Sequence, residues 1–575
     1  MSPSGPPSGP SGHGGPPSSR ADRRARRARA RRRTRWITAS ASVAVVAAAA
    51  SLATFGLLWR AHDSSTGAAA RSRHPSASTT TASTAPADPL ISRDIVLENL
   101  RPGTANWQLT DKGSSGDIEG YANTVSAQQG DTVTLYVSTR APSFHVEAYR
   151  IGWYQGLGGR LVWTSGDVQG TQQAKPVVTS GINLIEARWA PSLQVHVDAS
   201  WPPGDYLLKL VASTGPQQWV PLTVRDDASH AAFMVMNAVT DWQAYNTWGG
   251  CSLYACPGGD VSRGVRVSGS RADEVSFDRP YALGSGAGDF PGNEMPLVWL
   301  MESQGFDVTY TTSVDLDLHP ERVLQHKALL SLGHDEYWSK QMFDGAQNAR
   351  DHGVNIAFFG ANAIYRQIRL VDSPLGPARR QINYRSTADP IRRVDPELTT
   401  VSWRESPVNR PEQTLIGEQY ECNPVRADLV VSDASSWVYA GTGLKNGDHV
   451  PITVGTEYDR FDPNVPGPRN VDILAHSPVD CHGRSSYSDV TYYSAPSGAG
   501  VFASGTNWWI SKLNPPGPGN PHEPMIIAMT MNVLRAFGLG PAGIAHPSVA
   551  NWQQLPGIHS YGRNEPTTST TAESN

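Results

Sequence analysis

The sequence predicts an α/β domain with a mostly parallel sheet, preceded by an all-β sandwich of immunoglobulin-like size and by one N-terminal transmembrane helix. Three observations predict it. Residues 328–359, ALLSLGHDEYWSKQMFDGAQNARDHGVNIAFF, read as strand, polar turn, helix and second strand. Short alternating strands separated by turn residues fill the stretch before that unit. Residues 37–59 carry no charged side chain and are rich in Ala, Val and Leu.

At 575 residues the chain is too long for one core, so two or three domains are expected. Residues 1–36 form a basic disordered arm with ten arginines (Arg20, Arg23, Arg24, Arg26, Arg27, Arg29, Arg31, Arg32, Arg33, Arg35) against Asp22 alone. The net charge of -4 therefore hides an acidic remainder. Clustered arginine can neutralise nucleic-acid phosphates, but the uncharged run that follows gives this arm another meaning. At about 1.5 Å per residue, residues 37–59 cross a hydrocarbon core of about 30 Å. Arginines before the run and few charges soon after it put the N-terminus in the cytoplasm and the bulk outside. The expectation is a single-pass cell-membrane protein with extracytoplasmic domains, held by its N-terminal helix and without a nucleic-acid partner. A signal peptide cut near Ala68-Ala69-Ala70 would make it secreted instead.

Residues 60–88 are mostly Ser, Thr, Ala and Pro and read as a disordered linker, and residues 541–575 as a C-terminal tail. The four cysteines suit an oxidising exterior. Of three connectivities, local pairing of Cys251 with Cys256 and of Cys422 with Cys481 is expected, and the lack of a CxxC spacing argues against zinc.

The sandwich spans 89–226. Its clearest strands are residues 132–137, 144–149 and 206–211, the last after the turn Pro202-Pro203-Gly204-Asp205. From 227 to 540 the texture is α/β: an apolar strand at 231–236, a helix at 296–304 opened by Pro296, a strand at 306–311 and then the unit described first. Beyond Thr399 strands dominate again, with Pro- and Gly-rich loops, before an apolar helix at 524–537. Ser339 is placed to cap the helix of the central unit and Gly353 to close it.

In parallel sheets ligands gather at the carboxyl ends of strands. Two polar clusters sit there, Gly333-His334-Asp335-Glu336-Tyr337 and Gly360-Ala361-Asn362-Ala363-Ile364-Tyr365. The first has the position of a nucleophile elbow but lacks its Ser or Cys, which disfavours a covalent acyl intermediate. His334 and Glu336 are candidate proton carriers, with helix capping as the structural alternative. A third cluster, Glu457-Tyr458-Asp459-Arg460, ends a strand. A fourth, Asp241-Trp242-Gln243-Ala244-Tyr245-Asn246, supplies Trp242, Tyr245 and Asn246 as pocket candidates together with Asn362, or else fills the seam with the sandwich.

Taken with Phe277-Asp278-Arg279-Pro280-Tyr281, Tyr149-Arg150-Ile151-Gly152-Trp153-Tyr154 and Ser497-Gly498-Ala499-Gly500-Val501-Phe502, these stretches resemble the N,N-dimethylformamidase large (beta) subunit family over about 95–537. The resemblance implies an α/β core similar to class I glutamine amidotransferases without their cysteine. It also implies a mononuclear iron held by two tyrosinates and one carboxylate, which by position are Tyr337, Tyr365 and Glu457. Hard oxygen donors of that kind suit a metal that polarises an amide carbonyl and acidifies water. The expected function is metal-dependent hydrolysis of a C–N bond in a small-molecule or cell-envelope amide at the cell surface. The alternative is a non-catalytic surface protein that binds glycan or cell-wall polymer.

Overall fold

The computed structural model describes residues 88–256, 269–517 and 522–558. The basic arm, the expected membrane span at 37–59 and all but the last residue of the linker lie outside the described residues, as does the tail beyond 558. Among the described residues no helix is long and apolar enough to cross a membrane. The described residues fall in one compact unit.

The observed architecture corrects the expected fold class. The chain is mostly β, with seven sheets of mixed orientation among the described residues and helices that are few and mostly short. The α/β expectation counted the strong helix–strand alternation near residue 340 and gave too little weight to the strands beyond residue 360. Those strands reverse direction through short Gly- and Pro-containing turns, which produce antiparallel ladders rather than helical crossovers.

Between 118 and 225, a three-stranded sheet (Ile118–Ala122, Thr132–Thr139, Leu193–His196) faces a six-stranded one built around Ser143–Ile151, Gly204–Ala212 and Gln217–Arg225. Alternate residues of both faces, among them Val133, Leu135, Val146, Leu208 and Leu222, close a shared apolar core. The central sheet has seven strands in the order Val308–Thr312, Phe233–Asn237, Ala328–Leu332, Asn355–Phe359, Gly500–Ala503, Arg484–Ser494, Asp472–Cys481. The first five run parallel, Arg484–Ser494 runs against them, and Asp472–Cys481 pairs antiparallel with Arg484–Ser494. A four-stranded sheet that includes Tyr337–Ser339 and Arg366–Ser373 lies beyond the strand ends.

The sandwich and the central sheet share a core, since Trp107, Ile151, Leu207 and Trp219 pack in the same cluster as Phe233, Val298 and Tyr310. A buried ion pair crosses that seam. Arg150, on Ser143–Ile151, meets Glu302, on the helix Met295–Ser303, through Nη1–Oε2 at 2.9 Å and Nη2–Oε1 at 2.5 Å. Part of the expected tail is built into the unit: Ala542–Ala545 is helical, His546 stacks on Trp437 and Ile558 is fully buried.

Candidate active site

Two strand ends build the site. The Ala328–Leu332 strand runs into Gly333, whose φ is +60° and where a Cβ would lie 2.7 Å from the Asn293 carbonyl oxygen, so only glycine fits. His334, Asp335 and Glu336 form the turn, and Tyr337–Ser339 pairs in parallel with Arg366–Ser373. Ser339 ends the turn by capping the helix Lys340–Asp351, its Oγ accepting from the Met342 amide at 3.1 Å. Beyond Asn355–Phe359, Asn362 and Ile364 both hold a left-handed φ of 59°. For β-branched Ile this conformation costs about 1–3 kcal/mol. It is held by the Asn362 amide donating to Asp459 at 2.7 Å and the Ile364 amide donating to the Asp335 carbonyl at 2.9 Å.

His334 stands at the centre with its ring among three carboxylates. Nε2 lies 3.0 Å from Glu457 Oε2 and 3.8 Å from Glu336 Oε2, and Nδ1 lies 3.5 Å from Asp241 Oδ2. Asn362 Nδ2 is 3.4 Å from Nε2, and Asn423 Nδ2 donates to Glu457 Oε1 at 2.8 Å. Glu336 is covered by two phenols: the Tyr245 hydroxyl donates to Oε2 at 3.0 Å and the Tyr254 hydroxyl donates to the same oxygen.

Burial alone would pull the His334 imidazole down, but the Asp241 and Glu457 carboxylates outweigh it and hold the group well above its ordinary value. Burial likewise opposes ionisation of Glu457, yet His334 beside it holds that carboxyl below its usual range. Asp241 goes the other way, because burial pushes it well above the carboxylate range despite His334. The cluster therefore gathers one imidazole and three carboxyl groups within reach of one another.

Of the residues expected at the site, His334, Glu336, Glu457, Tyr245 and Asn362 converge here. Tyr337 is fully buried, with its hydroxyl accepting from Arg385 Nη2 at 2.5 Å, and burial pushes its pKa above that of a free phenol. Tyr365 packs against Tyr420, with Arg366 and Arg404 guanidinium carbons 4.5 and 5.1 Å from its ring centroid. Among the described residues no hydrogen bond or ion pair joins Tyr365 to Tyr337 or to Glu457. Trp242 turns toward the seam, where Nε1 donates to Glu294 Oε1 at 2.7 Å. Asn246 is saturated by local bonds to Gln243, Pro280, Trp248 and Ala282.

The donor set brought together is Asp241, His334 and Glu336, whose ligand atoms lie within 4.8 Å of one another. Asp241 Oδ1 is buried without a hydrogen-bond partner, which fits a cation-binding role. In this set the donor atoms lie close together, whereas the Tyr337 hydroxyl accepts from Arg385 and the Tyr365 ring packs on Tyr420. Tyr254, Asn423 and Arg385 were not singled out from sequence. Tyr254 had a usable signal in its place between paired cysteines; Arg385 had none. Both expected disulfides are formed, Cys251–Cys256 and Cys422–Cys481.

The family model described as N,N-dimethylformamidase beta subunit-like, C-terminal, matches residues 145–523, a span that holds every residue of this cluster. The chain belongs to this family. None of the curated proteins matches. Among solved structures, a chain from a study of T-cell specificity and activation by the bacterial superantigen toxic shock syndrome toxin-1 aligns at 17% identity, covering 19% of this chain and 97% of that one. Its TM-score is 0.12, so the likeness carries no argument. The family's common span takes in the inner strands of the sandwich as well as the elbow and Glu457.

Proposed function

We propose that the chain hydrolyses a C–N bond of the amide type at the His334 cluster. The observation that carries this reading is the 3.0 Å contact between His334 Nε2 and Glu457 Oε2, an imidazole against a carboxyl group at the strand ends. Membership of the N,N-dimethylformamidase-like family supports amide chemistry and points to N-substituted formamides as the first compounds to test.

Water needs a proton acceptor to attack a carbonyl, and the departing nitrogen needs a proton donor. Glu457 accepts the water proton as the new C–O bond forms. His334 gives its proton to the amine nitrogen as the C–N bond breaks, and the proton on Glu457 then returns to His334. Tyr245 and Tyr254 fix Glu336 beside the reacting atoms. A cation bound to Asp241, His334 and Glu336 would supply Lewis-acid polarisation of the carbonyl, with Glu457 left to move the proton. In both cases Glu457 is the residue whose loss stops the reaction. Two disulfides support the proposal that this chemistry takes place outside the cytoplasm.

The test is amine release from a panel of small N-substituted formamides and acyl p-nitroanilides, with metal analysis of the same sample. Hydrolysis by the wild type that disappears in Glu457→Gln, with the fold intact by circular dichroism, is the expected result. Equal rates in the two proteins sink the proposal.

A further inference from the structure

Each disulfide holds a hydrogen-bond donor against a carboxylate of the cluster. The Cys251–Cys256 bridge closes a loop with Cα atoms 4.2 Å apart at its neck. Inside the loop, Ser252 Oγ accepts from the Tyr254 and Ala255 amides at 3.1 and 3.2 Å. The loop is tied to its surroundings by the Leu253 amide, which donates to the Ala244 carbonyl at 2.9 Å, and by Arg279 Nη1, which donates to the Cys251 carbonyl at 2.9 Å. Held this way, the half-buried Tyr254 donates its hydroxyl to Glu336, stacks on Tyr245 with centroids 4.2 Å apart and lies under Arg385, whose guanidinium carbon is 3.9 Å from the ring centroid.

The Cys422–Cys481 bridge serves the second carboxylate. Asn423, next to Cys422, donates from Nδ2 to Glu457 Oε1 at 2.8 Å. The Asn423 carbonyl oxygen lies 2.8 Å from Nε2 of His482, the residue after Cys481.

We infer that the two disulfides are clasps of the site, with Tyr254 and Asn423 as positioning residues that fix Glu336 and Glu457. This rests on the reading of the cluster as hydrolytic. A glutamate has several rotamers of similar energy, and a donor on a constrained loop selects one of them without an ordering cost at the moment of reaction. Displacement of a reacting group by about 1 Å costs on the order of a hundredfold in rate.

The experiment uses the full chain and amine release from acyl p-nitroanilides. Cys251→Ser with Cys256→Ser, Tyr254→Phe and the triple variant are compared. The first two lower kcat about 10- to 100-fold with KM held within about 3-fold. The triple variant falls no further than Tyr254→Phe, because both changes release the same contact. Additive losses overturn the clasp. Cys422→Ser with Cys481→Ser, set against Asn423→Leu, obeys the same rule. Should the cysteine variants not fold, an unchanged kcat in Tyr254→Phe, which keeps bridge and ring, overturns the proposal by itself.

A second readout is independent of turnover. With ¹³C-labelled tyrosine, the ring resonance missing from Tyr254→Phe identifies Tyr254. It is expected to shift in the Cys251→Ser, Cys256→Ser protein while the other tyrosine lines stay in place; an unshifted line overturns the clasp. A wild type that releases no amine removes the hydrolytic reading, and the resonance then decides the clasp alone.

Discussion

Gly333 and Gly360 meet where the two central strands end: a Cβ on Gly360 would lie 1.7 Å from the Gly333 carbonyl oxygen. The contact sets the separation between the His334 turn and the Asn362 loop, so it fixes site geometry through backbone alone. Gly360→Ala must push the two strand ends apart. The expected loss is about 3 kcal/mol or more of unfolding free energy, the upper range for overpacking, together with loss of the His334–Glu457 contact. Gly166→Ala is the control, since a Cβ there meets nothing within 4 Å, and it should stay within about 0.5 kcal/mol of wild type. Urea unfolding of both variants checks the pair.

Glu457→Gln keeps the shape of the side chain and the bond from Asn423 but removes the charge that faces His334. Loss of a positioned proton carrier typically costs about 10²–10⁴ in rate. The expected outcome is a fall of that size in kcat with KM nearly unchanged, read by amine release under saturating substrate. A change confined to KM would assign Glu457 to binding instead.

Arg150 and Glu302 cross the seam between sandwich and central sheet with both side chains fully buried, and Glu302 also accepts from Tyr310 and Asn99 at 2.6 and 2.9 Å. Arg150→Met leaves an uncompensated buried charge, for which the expected destabilisation is about 3–5 kcal/mol. The double variant Arg150→Met, Glu302→Met should recover part of that loss, because it buries no charge. Denaturant midpoints of the single and double variants test this; a double variant no more stable than the single one would count against the account.

How far the sequence made this legible follows from which features are local. The strand–turn–helix–strand unit at 328–359 was readable because its apolar periodicity and the Ser339 cap lie within one short window. Its two flanking polar clusters were correctly placed at strand ends for the same reason. The mixed sheets were not readable, because pairing of Arg484–Ser494 between Gly500–Ala503 and Asp472–Cys481 is decided by tertiary neighbours and leaves no period of its own. At the site, Tyr245, His334 and Glu457 were read from their motifs, and the structure places them side by side. Trp242 lines a cavity at the seam with the sandwich rather than the His334 cluster, its indole on Glu294, and Tyr254 and Asn423 reach the cluster carboxylates from beside the two disulfides. No local pattern encodes such a convergence.

His476 lies away from this cluster and offers a test by pH. Its Nδ1 is 2.6 Å from Asp489 Oδ1, its Nε2 is 2.9 Å from the Pro556 carbonyl oxygen, and its ring stacks on Tyr487 at 3.9 Å. Burial would lower the imidazole, but the hydrogen bond and charge of Asp489 outweigh it and raise the group above its ordinary value. The folded protein therefore holds this proton more tightly than the unfolded chain does. The stabilisation is fully present below the unfolded value of about 6.5 and is lost as pH rises through the higher folded value. Wild type should lose stability relative to His476→Gln as pH climbs above about 6.5, with the difference between them constant at lower pH. Melting temperatures of the two proteins across a pH series measure it, and a difference that grows with pH would reverse the assignment of His476 as the proton-holding partner of Asp489.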